Sequence, residues 1–208
     1  MTVTKRRPRG RSEWTPSPIG EAATEPRERI LAVAADLFYR EGVRGVGIDR
    51  IIRDADVAKA TFYRHFPSKD ELVLAWLRAP QTRGLTWLIA ELSATDAAPT
   101  ERLLLVFDLI EEWMTSPHFR GCAYINTSSE TPEVGSAVHD EYRREARAAE
   151  AYLARTATEA GVDDPSAVAA QLMLLIAGAI TRTGASRDAA PIGDARRLAQ
   201  RLLTGSVA

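Results

Sequence analysis

Side chains that can donate hydrogen bonds to DNA are concentrated in a stretch of eight residues, 58–65. They are Lys59, Thr61, Tyr63, Arg64 and His65. On the exposed face of a short helix, such donors can reach base edges or phosphate oxygens in the major groove of DNA. The chemistry that this stretch predicts is recognition of nucleic acid.

The flanking residues predict the elements that would position these donors. A short apolar helix containing Ile51, Ile52 and Ala55 comes first, and a turn at Asp56 follows it. A second helix runs from about Ala58 to His65. After it, 67–68 (Pro-Ser) stop the helix and cap a third one that begins near Lys69. Two short helices joined by a tight turn, the second rich in donors, predict a helix-turn-helix.

The order of residues 55–72, ADVAKATFYRHFPSKDEL, resembles the signature of the TetR family of bacterial transcriptional regulators. An upstream amphipathic helix ends at Glu41-Gly42, as the first helix of that family does. Its apolar stripe consists of Ile30, Val33, Ala34, Leu37 and Phe38. The clear resemblance covers about residues 27–72 and implies a three-helix DNA-binding domain.

Two positions depart from the family pattern in ways that bear on the site. Asp56 stands at the turn, where the family usually has Gly; Asp is among the residues that best tolerate the positive φ of such a turn. Gly47 stands where a Thr usually caps the second helix and touches phosphate, and Asp49 favours that helix start electrostatically. The residues expected at the DNA are Gly47, Ala58, Lys59, Ala60, Thr61, Tyr63, Arg64, His65 and Lys69.

Composition favours an all-α fold, since glycine and proline cluster between helical stretches and no run alternates as a strand does. Residues 1–69 carry 14 Lys and Arg against 9 Asp and Glu, whereas the rest of the chain is acidic. The basic part contains the predicted helix-turn-helix, as binding to DNA phosphates requires. We predict a disordered basic arm over 1–25, a helix-turn-helix domain over 26–71, and an effector-binding and dimerisation domain over 72–208.

The last two helices are predicted to form a dimer interface. Residues 167–180 are apolar on every face except at Gln171, and about 14 residues are too few to cross a bilayer, which needs ~20. A final helix runs from about Pro191 to Leu203. Resemblance to the TetR family implies that such a pair packs against its symmetry mates; a buried helix in a monomer is the alternative. The expected interface residues are Leu172, Leu175, Ile176, Ala179, Ile192, Ala199 and Leu202.

The middle of the chain is rich in large side chains, and the family resemblance implies an effector pocket there. Aromatic and methionine side chains with a few polar groups are typical of sites for apolar ligands, although the same residues at helical spacing also suit plain core packing. The candidate pocket residues are Trp76, Trp87, Phe107, Glu111, Trp113, Met114, Phe119, Tyr124, Asn126, His139 and Arg143.

Cys122 is the only cysteine, so the chain forms no internal disulfide and a reducing cytoplasm suits it. A thiol at a helix N-terminus allows two alternatives: a redox or electrophile sensor, or a small hydrolase using Cys122 with His139. No phosphate-binding Gly loop or metal-spaced cluster supports an enzyme, and we expect no catalytic residue, metal or cofactor.

Taken together, the sequence predicts a cytoplasmic, homodimeric, ligand-responsive regulator without a membrane segment. It would most readily act as a repressor, bound to a palindromic double-stranded operator and released by an apolar or aromatic effector. A DNA-binding architectural protein is the remaining alternative, against which the long helical region argues.

Overall fold

The computed structural model describes residues 25–80, 82–131, 133 and 135–204. Every regular element in these residues is a helix, which confirms the all-α prediction. The helices are α1 Pro26–Glu41, α2 Ile48–Asp54, α3 Lys59–His65, α4 Lys69–Arg78, α5 Gly84–Ser93, α6 Pro99–Met114, α7 Ala123–Glu130, α8 Ala137–Glu159, α9 Pro165–Ser186 and α10 Ala190–Leu203. The arm predicted over residues 1–25 lies, apart from Glu25, outside the described residues.

The helices fall into two compact units. One, here called the read-head unit, contains residues 25–83 and 122–143; the other, the helical unit, contains residues 84–121 and 144–204. The domain boundary predicted at residue 71 falls inside α4. The read-head unit therefore includes α4, α7 and the first residues of α8 as well as the three predicted helices.

Helix ends follow local backbone rules. Helix α4 stops at Arg78, and Ala79 is extended with φ −65° and ψ 138°, because a proline at position 80 disfavours helical geometry in the residue before it. Helices α7 and α8 each begin two residues after a glycine. Gly121 and Gly135 have φ of 93° and 83°, a conformation that no α-helix contains.

In the read-head unit, α1 packs against α2, α3 and α4 around one apolar core. Ile30, Ile51 and Phe62 are completely buried in it. The rings of Phe38 and Trp76 join α1 to α4, with centroids 5.5 Å apart. This core fixes the helix-turn-helix on α1 and α4.

The segment 122–143 packs on the same core, which the sequence did not predict. Tyr124 is buried and donates its hydroxyl to the Leu77 carbonyl, 2.6 Å away. Arg78 donates its Nε to the carboxylate of Glu141, 2.9 Å away, and Glu141 is almost fully buried. Both contacts hold the segment to the C-terminal end of α4.

In the helical unit, α9 packs on α10, and both pack on α6. Asp164 caps α9 by accepting from the Ala167 amide at 3.0 Å, and the helix ends at Arg187, whose φ is 60°. With 22 residues, α9 is longer than the 14 predicted, so its length and composition alone do not exclude a membrane span; the core helix of a soluble protein passes the same test. The polar residues 181–183, Thr-Arg-Thr, continue the helix because polar side chains need not end one.

Candidate nucleic-acid interface

The turn between α2 and α3 adopts the geometry that its sequence predicts. Asp56 has φ 52°, in the left-handed region, so an aspartate occupies the position that the family usually gives to glycine. Arg29 of α1 holds this turn: its Nε donates to the Ala55 carbonyl at 3.2 Å and its Nη2 to the Asp56 carbonyl at 3.1 Å. Arg29 was not among the predicted site residues, because its role depends on a contact with a turn 26 residues away.

Helix α3 presents a polar face above a buried aromatic anchor. Phe62 is completely buried, and its ring packs edge-on against Tyr63, with centroids 5.3 Å apart. The side chains of Lys59, Tyr63 and Arg64 are exposed. Thr61 and His65 are half-buried, and the small Ala58 and Ala60 are exposed at the start of the helix. Small exposed residues let the backbone of α3 approach a partner closely.

Lys59 has a carboxylate neighbour across the turn. Its Nζ lies 3.6 Å from Asp49 Oδ1 in the first turn of α2, and the two side chains are 67% and 88% exposed. An ion pair this exposed is weak, so a phosphate or base edge can displace Asp49 at small cost.

Helix α2 is held to α1 by an ion pair and begins without a side-chain cap. Arg50 donates from Nη1 and Nη2 to both carboxylate oxygens of Glu41, at 2.5 and 2.9 Å, which ties α2 to the end of α1. This hydrogen bond, opposed in part by desolvation, lowers the pKa of Glu41. Gly47 is the N-cap of α2, and a Cβ built on it meets no atom within 4 Å. The site would therefore accept a side chain there.

Lys69 lies at the first position of α4, where free backbone amides point out of the helix. Ser68 caps this helix by accepting from the Glu71 amide at 3.1 Å. Burial lowers the pKa of Lys69, and the negative charges of Glu130 and Asp70 partly oppose that effect. A cation beside a helix N-terminus is a suitable arrangement for binding phosphate.

The candidate pocket residues are divided between the two units, with five in the read-head unit. Trp76 and Tyr124 belong to its core. Asn126 and Arg143 are exposed, the latter 3.2 Å from the carboxylate of Asp140. His139 is half-buried, with Nε2 3.3 Å from the Ser128 carbonyl oxygen.

The other six candidate pocket residues belong to the helical unit. Phe107, Trp113, Met114 and Phe119 are buried there. The rings of Trp113 and Phe119 meet edge-on, 4.9 Å between centroids. The remaining two differ: Trp87 is half-buried and Glu111 is exposed. The helical unit thus contains a group of buried aromatic and methionine side chains of the kind expected for an apolar site.

The read-head unit also has a cleft that the sequence did not reveal, with a volume of about 440 Å³. It is lined by Arg27, Leu31, His65, Phe66, Glu71, Ala75, Arg78, Ala79 and Pro80. Arg27 forms part of its wall and lies over the Phe66 ring, 5.2 Å from the centroid. The cleft is formed by α1, the C-terminal end of α3, and α4 with the residues that follow it.

Most residues predicted for the dimer interface are buried inside the protomer. Leu172, Ile176, Ala179, Ile192 and Ala199 are at most 4% exposed. All five lie on α9 and α10, which pack on each other and on α6, and burial within the protomer leaves them little accessible surface. Leu175 and Leu202 are half-exposed. The large apolar side chains that the two helices expose are instead Leu174 and Leu198, 73% and 46% exposed.

Cys122 is the N-cap of α7 and is half-buried in the read-head unit. It lies near Tyr142, whose pKa is raised by burial and by the charge of the Cys122 thiolate. The ring of His139, the base in the hydrolase hypothesis, is directed to the Ser128 carbonyl. In the part of the chain that the structure describes, no three His, Cys, Asp or Glu residues lie together as metal ligands.

Comparison with known proteins identifies the family. Residues 30–76 match the family described as bacterial regulatory proteins, tetR family, and residues 99–199 match the tetracyclin repressor-like C-terminal domain. The chain belongs to the TetR family. The second match includes all of α7 and α8, so in this TetR-family protein a segment of the C-terminal domain packs with the helix-turn-helix.

Relatives of this TetR-family protein cover nearly its whole length. The HTH-type transcriptional regulator YjdC of Escherichia coli is 24% identical over 177 residues, 85% of this chain and 93% of YjdC. The structure of SCO4454, a TetR-family transcriptional regulator from Streptomyces coelicolor, is 29% identical with a TM-score of 0.80, covering 86% of this chain and 95% of that one. A TetR regulator from Streptomyces avermitilis is 30% identical with a TM-score of 0.71, covering 85% and 98%.

The protein is therefore a ligand-responsive transcriptional regulator that binds DNA through a helix-turn-helix. Neither the thiol-sensor hypothesis nor the hydrolase hypothesis finds support in these relatives. Members of the family are generally not enzymes.

Proposed function

We propose that this regulator is a cytoplasmic, homodimeric repressor that binds a palindromic operator and is released by an apolar or aromatic effector. The observation that carries the proposal is the arrangement of α3: Phe62 is buried in the core, while Lys59, Tyr63 and Arg64 are exposed to solvent. A helix anchored in this way can enter the major groove without disturbing its own unit.

The expected DNA contacts fall into two groups, those with base edges and those with phosphates. Arg64 has the planar fork that binds guanine bidentately, and Lys59 and Thr61 can reach neighbouring base edges. The Tyr63 hydroxyl, and Lys69 with the free amides of α4, are placed to bind phosphate. The first group would determine which operator is bound, and the second would determine how strongly any DNA is bound.

Dimerisation through the exposed side of α9 and α10 would present two copies of α3 to DNA. Leu174 and Leu198 are large apolar side chains left open to solvent, and a twofold partner would cover both. A symmetric dimer requires a palindrome whose half-sites are about one helical turn, ~34–36 Å, apart.

The effector would bind among the buried aromatic side chains of the helical unit. Trp113, Phe119 and Phe107 supply apolar and aromatic surface, which favours a ligand of the same character. A ligand can release DNA only if it prefers a dimer geometry that the operator does not.

Operator selection from random DNA tests the DNA contacts. Replacing Arg64 with Ala should relax the consensus at one symmetric pair of positions, at ~1–3 kcal/mol of discrimination. Replacing Lys69 with Ala should keep the consensus, weaken all sequences alike and reduce the slope of log K against log salt by ~1. Each variant is the control for the other. An unchanged consensus with Arg64→Ala would make Arg64 a phosphate contact, and a lack of any selected consensus would contradict the proposed function.

Once the operator is known, a fluorescently labelled operator can be used to measure whether an effector releases the protein from DNA. Aromatic and apolar compounds that raise the melting temperature of the protein are the candidates, because binding stabilises the folded state by RT ln(1 + [L]/Kd). We expect some of them to dissociate the operator. If stabilising compounds instead tighten operator binding, the protein is not a repressor released by ligand.

A further inference from the structure

The last residue of α7 contacts the DNA-binding helices far from it in sequence. Glu130 Oε2 accepts a hydrogen bond from the Arg44 amide, 2.7 Å away, in the turn between α1 and α2. An amide in a turn otherwise depends on water for its partner. The Glu130 carboxylate thus gives this turn a charged hydrogen bond, which is stronger than a neutral one.

Gly42 in the same turn leaves room for this carboxylate because it has no side chain. Its φ is 82°, and it ends α1 by donating its amide to the Phe38 carbonyl. A Cβ at Gly42 would lie only 2.8 Å from Glu130 Oε1. The carboxylate therefore lies directly against the glycine, in space that any other residue would fill.

The charge of Glu130 also acts on Lys69 at the start of α4. The burial of Lys69 lowers the pKa of its ammonium, and Glu130 is the larger of the two carboxylate influences that raise it again. One carboxylate is thus near both the α1–α2 turn and the lysine proposed to bind phosphate.

Glu130 reaches this place from the C-terminal family domain. It lies within residues 99–199, and its segment is held to α4 by the contact of Tyr124 with the Leu77 carbonyl and by the Arg78–Glu141 ion pair. These contacts hold the segment on both sides of Glu130 in the sequence. A carboxylate fixed in this way can position groups that bind DNA without touching DNA itself.

We propose that Glu130 is a positioning residue of the DNA-binding surface: its carboxylate orders the α1–α2 turn through the Arg44 amide. The proposal rests on the proposed function, in which the helices on either side of this turn bind DNA. The hydrogen bond needs an acceptor oxygen at position 130 and not a negative charge, which makes the claim separable from an effect of charge alone.

Two substitutions separate the acceptor oxygen of Glu130 from its charge. Glu130→Gln keeps a carbonyl oxygen for the Arg44 amide and removes the charge, whereas Glu130→Ala removes both. Glu133→Gln is the matched control, since Glu133 is exposed in the same unit and its loss changes net charge equally. Affinity for the operator and for random DNA is measured for each protein at several salt concentrations.

Glu130→Gln should keep the preference for operator over random DNA, because its side-chain carbonyl still accepts from the Arg44 amide. Glu133→Gln should keep that preference as well. A Glu130→Gln variant that loses the preference as far as Glu130→Ala does, while Glu133→Gln keeps it, would overturn the claim that an acceptor oxygen is what the turn needs.

Glu130→Ala should bind operator more weakly than Glu130→Gln, because the turn loses its hydrogen bond. Hydrogen exchange at the Arg44 amide should be slow in wild type and Glu130→Gln and fast in Glu130→Ala. Equal exchange in all three proteins would overturn the positioning claim. This measurement needs no DNA, so it decides the contact even if wild type binds no operator and the proposed function fails.

Discussion

Placing a charge on the exposed face of α9 should separate the dimer. Leu174 and Leu198 are 73% and 46% exposed, which together is a little more than one whole leucine per protomer. Burying a leucine side chain contributes about 1.5–3 kcal/mol, so covering these residues in both protomers contributes about 4–7 kcal/mol to association. Leu174→Glu removes most of the Leu174 share and adds a carboxylate that must lose water in each protomer. The dissociation constant should rise at least a thousandfold.

Light scattering and sedimentation at micromolar concentration measure this change. Leu174→Glu should be a folded monomer with a wild-type helical circular-dichroism spectrum. Leu172→Ala is the matched comparison: Leu172 is 0% exposed, so its truncation should cost the fold about 2–5 kcal/mol and leave association largely intact. If Leu174→Glu remains a dimer at micromolar concentration, the interface lies elsewhere and the exposed face of α9 has another partner.

Three further predictions concern the DNA-binding helices. At φ 52°, Asp56→Val should lower the free energy of unfolding by about 1–2 kcal/mol while Asp56→Gly stays near wild type; equal loss in both, by urea titration, would contradict the backbone argument. Gly47→Thr meets no atom, so it should stabilise the fold by about 0.4–1 kcal/mol and tighten binding to all DNA; a lower melting temperature would show that the site rejects a side chain. Arg50 lowers the pKa of Glu41 from its ordinary 4.5, so the pair's stabilisation is present above that pH and is lost as pH falls through the folded value. Urea midpoints of wild type and Glu41→Gln should therefore differ at pH 6 and converge in acid, and a constant difference would refute this linkage.

Local patterns in the sequence determined the helices and the exposed face of α3. The spacing of Ile30, Leu37 and Phe38 marks one stripe of α1, and all three are buried. Phe62 and Phe66, four residues apart, lie on either side of three donors, and they are the two buried residues in 59–66. The tolerance of aspartate for positive φ is likewise a property of one residue, so the turn at Asp56 could be anticipated. Each of these inferences needs only residues that are neighbours in the chain.

Tertiary structure decided the features that depend on which surfaces meet. Residues 167–180 are apolar almost all round, so their pattern does not distinguish the side that packs on α10 from the side left open; Leu172 and Leu174 differ only through that packing. The hydrogen bond between Glu130 and the Arg44 amide joins residues 86 positions apart. The residue types of Trp76 and Tyr124 suited a ligand pocket, but the structure places both in the core of the read-head unit. Periodicity records how much of a helix is apolar and along which stripe, whereas the partner of that stripe is set by long-range packing, which leaves no mark on local spacing.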